Sequence, residues 1–237
     1  EEFRELQEKF DLLAEQVEEN SKGSSSKTTI GGYGEMHYNN LSDGDGNDKK
    51  EIDFHRFVLY FNHEFSSDIR FFSELELEHT IVSNDEDGYI ALEQAFVQFD
   101  LNDTTAANVG IFLVPAGIIN ESHEPPTFYG VERNPIAKYI IPTTWFEGGA
   151  MLSGNYDTGV SYDVAIHTGM DGGTNIRGGR QRVSYAVAEN LAATARAKYT
   201  GIPGLKLSAT LQYQDDMTQD TTDDVGSAVL IETHARW

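Results

Sequence analysis

Residues 205–214 read LKLSATLQYQ. Leu205, Leu207, Ala209, Leu211 and Tyr213 fall on one side of an extended chain, with Lys206, Ser208, Thr210, Gln212 and Gln214 on the other. A period of two belongs to a β-strand, whose successive side chains point to opposite faces. The rhythm recurs along the chain. Ile69, Phe71, Leu75 and Leu77 oppose Arg70, Glu74, Glu76 and Glu78; Phe57, Leu59 and Phe61 oppose Arg56, Val58, Tyr60 and Asn62; Val229, Ile231, Ala235 and Trp237 oppose Glu232, His234 and Arg236. About ten such segments follow Thr28, each near the length a tilted membrane strand requires.

The connections decide what kind of sheet this is. Residues 38–50, 83–88, 115–144, 169–186 and 215–226 form long connections, and residues 66–68, 102–106, 154–159 and 201–204 form tight ones, in strict alternation. An up-and-down barrel with short turns at one membrane face and long loops at the other requires that order, whereas a Greek-key sandwich does not. Tyr33, Tyr38, Phe65, Tyr89, Phe99, Tyr156 and Tyr199 suit its two aromatic girdles. The reading is therefore an all-β, antiparallel, up-and-down transmembrane barrel occupying residues 28–237.

Composition agrees. Among 237 residues, 39% are apolar, low for a water-soluble core of that size. No apolar run reaches the length of a spanning helix. A formal net charge of -22 argues against nucleic acid as a partner, since phosphate contact needs clustered cations. The absence of cysteine fits an oxidising compartment and many others. The opening EEFRE has neither an initiator Met nor an apolar secretion segment, so the start is expected not to be that of the gene.

Ahead of the strands, Phe3, Leu6, Phe10, Leu13 and Val17 repeat at alternating steps of three and four. That spacing predicts a coiled-coil helix over residues 1–20 that needs copies of itself. Residues 21–27, SKGSSSK, read as a flexible linker.

Residues 115–144 interrupt the sheet. Pro115, Pro125, Pro126, Pro135 and Pro142 bar central strand pairing, and so long a loop is either functional or disordered. Ile118, Ile119, Phe128, Tyr129, Ile140 and Ile141 speak for order, so the loop is expected to fold inward and narrow the barrel.

TTIGGYGEMHY at residues 28–38, VPAGIINESHEPPTFYGVERNP at 114–135 and IIPTTWFEGGA at 140–150 carry a resemblance. The chain from Thr28 to Trp237 resembles the Gram-negative outer-membrane porins, nearest the broad superfamily of phosphate-selective porins O and P. The resemblance implies a homotrimer of water-filled barrels in the outer membrane, surrounded by lipid and lipopolysaccharide. Each would be constricted by an internal loop whose acids face a basic wall. On this chain the loop offers Glu121, His123, Glu124, Glu132 and Arg133. Inward parity gives the wall Arg56, Arg70, Glu74, Glu76, Arg196, Lys198, Lys206 and Arg236. Charges are mixed on both sides, so the lumen is not cation-dominated. The acidic stretches at residues 41–53, 83–88 and 214–224 favour a weakly cation-preferring entrance.

Sharper motifs fail. Asp43, Asp45 and Asn47 begin like a calcium loop, but its sixth and twelfth places hold Asp48 and Phe54. Glu121, His123 and Glu124 lack a second ligand cluster in sequence, so no metal is expected, nor any other cofactor. No GxSxG elbow occurs, and no enzyme is expected. The rival function is a structural anchor whose coiled coil tethers the envelope or a periplasmic or cell-wall partner. Ten strands make too narrow a bore for the loop plus water, which implies roughly 16 to 18 strands in the complete barrel.

Overall fold

The computed structural model describes residues 27–46, 48–127, 130–172, 175–219 and 226–237. The helix expected over residues 1–20 and nearly all of the linker lie outside them, as do Asn47, Phe128 and Tyr129. Ten strands follow one another: β1 (Thr28–Leu41), β2 (Lys49–Glu64), β3 (Ile69–Glu78), β4 (Tyr89–Asn102), β5 (Thr105–Leu113), β6 (Phe146–Asn155), β7 (Val160–Thr168), β8 (Leu191–Ile202), β9 (Leu205–Gln214) and β10 (Ala228–Arg236). They form one antiparallel sheet in strict sequence order, β1 to β10. The described sheet is open, with β1 and β10 at its edges. No described helix is long and apolar enough to cross a membrane, which bears on helices alone.

Faces alternate as the pattern requires. In β9, residues 208, 210, 212 and 214 are buried on the inner face, while residues 207, 209, 211 and 213 are exposed on the outer one. Leu211 is 50% exposed and its partner Ile231 is 74% exposed, so the outer face is an uncovered apolar surface.

Of the four register shifts among the described strands, two fall inside the sheet and shift this alternation, the others lying at the tight turns. β1 and β2 slip register between Glu35 and Met36, leaving His55 and Arg56 both turned inward. The second lies between Glu74 and Leu75 of β3 and does the same for Glu93 and Gln94 of β4. An extra residue on one strand re-aims its side chain, a device concentrated at functional positions.

Several expectations need correction. Strands β1 and β2 run into the region read as a 38–50 loop, leaving residues 42–48 as the connection. Tyr33 does not join an aromatic girdle; it packs near Tyr60 on the inner face, ring centroids 6.4 Å apart. Tyr89 likewise lies on the inner parity, opposite exposed Ile90 and Leu92. The interrupting loop has short helical turns at Asn120–Ser122, Pro125–Thr127 and Ile136–Ile140.

Candidate functional site

The interrupting loop lies on the inner face, and its base is closed by one side chain. Buried Asn120 donates through Nδ2 to the Val114 and Trp145 carbonyls at 2.8 and 2.9 Å. Its Oδ1 accepts from the Trp145 backbone N–H at 2.9 Å. One amide thus joins the loop's entry and exit. Val114, Ala116, Trp145 and Met170 form a small buried apolar cluster beneath it. The Thr210 hydroxyl of β9 reaches the Pro115 carbonyl.

Beyond the base, Glu121 meets Arg196 of β8 in a two-pronged ion pair, with contacts of 2.5 and 2.6 Å. The same guanidinium holds Asp163 of β7 through Nε at 2.9 Å and Nη2 at 2.6 Å. Lys198 adds a 3.4 Å contact to Asp163, and Ser153 donates to it. The planar fork of arginine suits this double engagement. Glu121, Asp163, Asp100, Asp103 and Arg70 line a polar cavity of about 750 Å³ toward the short-turn end.

Two residues on, His123 is buried against β4. Its Nε2 lies 2.9 Å from Glu93 Oε2, and its Nδ1 lies 2.9 Å from the Asn120 carbonyl. Burial opposes a charge on the imidazole, but the hydrogen bond and charge of Glu93 outweigh it and raise the His123 pKa. Gln94 donates to Glu74 at 2.7 Å alongside.

Other wall cations are tied to wall acids rather than to the loop. Arg56 pairs with Glu35 at 2.6 Å and Glu76 at 3.2 Å. Arg70 pairs with Asp100. Lys206 and Arg236 sit in register with each other near the short-turn end. In the loop, Glu124 is half-buried, and exposed Glu132 lies 3.8 Å from Lys138. Of the expected acid-against-base contacts, the structure brings together Glu121 and Arg196.

A second loop carries residues that parity could not reveal. Arg177, Arg180 and Arg182 lie in the connection between β7 and β8. Arg177 donates to the Lys138 carbonyl, and Arg180 to the Thr143 and Thr144 carbonyls. Arg133 donates to the Thr143 hydroxyl, and Arg182 lies over the Phe146 ring. None of these four contacts is an ion pair, although Glu93, Glu78 and Glu147 lie near enough to act on Arg133, Arg177 and Arg180. Burial, then Arg182 and Arg177, push the Arg180 pKa down to about 9. Burial and neighbouring arginines also lower those of Arg133 and Arg177. Arg133, Arg177 and Arg180 remain cationic at neutral pH. The signal was the compact RGGRQR at 177–182 in a chain with only 17 basic residues.

A family model described as phosphate-selective porin O and P matches residues 29–230, nearly the whole described sheet. The chain belongs to this family. An Aquifex aeolicus (strain VF5) relative of the porin O and P chain, described as an uncharacterized protein, is 35% identical over 217 residues. The match covers 88% of this chain and 49% of the relative, so the chain spans about half that protein's length. Among solved structures, the loop L8 deletion mutant of OmpT, an outer membrane protein of Vibrio cholerae, matches 80% of this porin O and P chain and 70% of its own at 7% identity. Its TM-score of 0.33 is too low to carry an argument.

Proposed function

We propose that this chain forms the pore-bearing part of an outer-membrane porin, a passive water-filled channel for small hydrophilic solutes and ions, narrowed by residues 115–144. The observation that carries the reading is the contrast between the sheet's faces. The outer face presents uncovered apolar rows, while the inner face holds charged groups and a loop anchored through Glu121–Arg196 and His123–Glu93. Lipid favours the first surface and water the second. Further strands pairing with the β1 and β10 edges would complete a bore wide enough for loop and water. Trimer formation through Phe3, Leu6, Phe10, Leu13 and Val17 belongs to the same proposal.

For selectivity, the arginines on the long-loop side favour small anions, phosphate among them, over the cation-preferring entrance expected from the acidic outer loops. Arg133, Arg177, Arg180 and Arg182 direct their contacts to carbonyl, hydroxyl and ring groups rather than to carboxylates, so the glutamates nearby offset their positive field in part and not wholly. The family's description names phosphate, which suits arginine's fork.

Single-channel recording in planar bilayers tests both parts. Wild-type protein carrying the strands that complete the barrel is expected to conduct, and Arg177→Gln with Arg182→Gln to move the reversal potential toward cations. Glu121→Gln is expected to alter conductance by loosening the loop from Arg196. Silent bilayers would refute the channel, and an unmoved reversal potential would refute the arginine assignment.

A further inference from the structure

The loop and the wall bring together what the sequence kept apart. Glu74 of β3, Glu93 of β4 and His123 of the loop are all buried, and each offers a donor atom within 4.8 Å of the others. The Nδ1 of His123 lies on a backbone carbonyl and so carries the hydrogen, which leaves the Nε2 lone pair facing Glu93 Oε2 at 2.9 Å. A proton on Nε2 makes this contact an imidazolium–carboxylate hydrogen bond, and a cation can take that proton's place between the two groups. Glu74 uses Oε2 to accept from Gln94, while its buried Oε1 has no hydrogen bond of full geometry among the described residues, although the Tyr60 hydroxyl lies close enough to act on the carboxylate. A buried acceptor without a donor is costly, and one cation satisfies all three groups together.

We propose that Glu74, Glu93 and His123 form a site for a divalent first-row transition cation, represented by Zn²⁺, which ties the loop to β3 and β4. Two carboxylate oxygens and one imidazole nitrogen suit zinc and its neighbours. Calcium and magnesium favour larger, all-oxygen shells. Zinc–ligand bonds of about 2.0 to 2.2 Å place tetrahedral donors about 3.3 to 3.6 Å apart, so the His123–Glu93 pair at 2.9 Å needs to open slightly and the donors up to 4.8 Å apart to close by about 1.5 Å at most. The supporting contacts resemble those of built sites: the Asn120 carbonyl fixes the imidazole tautomer, and Gln94 orients Glu74. A bound cation displaces the protons these groups hold, and the two carboxylates and neutral imidazole that result sum to a charge that a divalent ion cancels. Three protein ligands leave a fourth position for water. The site stands whether or not the chain conducts.

The test is calorimetric titration of the refolded, chelator-stripped full chain in detergent with ZnCl₂. One tight site is expected, weakened about 10- to 100-fold by Glu74→Gln or His123→Gln. It should be retained when His55 and His79, which form a separate cluster with Asp53, are both changed to Ala. Glu74→Gln keeps an oxygen for Gln94, so heat-modified migration on gels should stay that of folded protein. Wild-type protein also supplies a readout of its own. Added Co²⁺ should develop visible ligand-field bands that Zn²⁺ abolishes. The proposal is overturned if wild type binds no zinc tightly, if Co²⁺ gives no such bands, or if binding follows His55 and His79 instead of Glu74 and His123.

Discussion

Asn120 closes the loop with a single buried amide, so its replacement is informative. Asn120→Ala removes the acceptor of the Trp145 N–H and a donor to two carbonyls. Leaving such groups buried without partners costs about 2 to 4 kcal/mol in total. Urea unfolding from detergent micelles should show that loss, while Asn120→Asp should fall between, keeping the acceptor alone. Arg196 allows a sharper contrast. Arg196→Met leaves Asp163, whose side chain is only 7% exposed, with Lys198 and Ser153 alone, and should destabilise by about 2 to 4 kcal/mol. Lys198→Met removes a partly exposed partner at 3.4 Å and should cost below about 1 kcal/mol in the same assay. Glu121, His123 and Arg196 were legible as charged groups of the right loop and parity. Asn120 was not, because its role is to join chain segments 25 residues apart, which no local pattern records. Glu93 was missed for a related reason: β4 changes phase beside it, so parity read from the two ends of the strand gives opposite answers.

At the scale of the element, strands were legible because burial on one face imposes a period of two, and turn lengths marked their ends. What stayed hidden was the phase. In β2 the apolar row runs Ile52, Phe54, then Phe57, Leu59 and Phe61; in β4 it runs Ile90, Leu92, then Val97, Phe99 and Leu101. Each switch from even to odd positions marks a bulge, and each bulge turns consecutive polar residues inward. The helical turns within residues 115–144 gave no such cue, since three to five residues are too few for a period to emerge. The faces also differ in tolerance. Leu211→Arg on the outer face should oppose folding into lipid vesicles by about 2 to 4 kcal/mol if it lies near the bilayer midplane. Lys206→Arg on the inner parity of the same strand should leave vesicle folding nearly unchanged.

For the whole molecule, the alternation of short and long connections gave the up-and-down order that the sheet displays. Chain connectivity is written in sequence, so topology was readable where neighbouring strands meet. The juxtaposition of the two longest connections was not, because it depends on where loops fold. The arginines at 177–182 therefore emerged only once that connection was seen donating to the 115–144 loop. The account as a whole depends on water lying against the inner face and lipid against the outer one. The chain has no cysteine, so single cysteines can be placed along β6 without background. Met151 and Ser153 line the polar cavity, whereas Ala150 and Leu152 point away from it. In proteoliposomes, Met151→Cys and Ser153→Cys should react with a small membrane-impermeant thiol reagent, and Ala150→Cys and Leu152→Cys only with a lipid-soluble one. Equal labelling of all four by the impermeant reagent, or labelling of Ala150→Cys and Leu152→Cys alone, would contradict it.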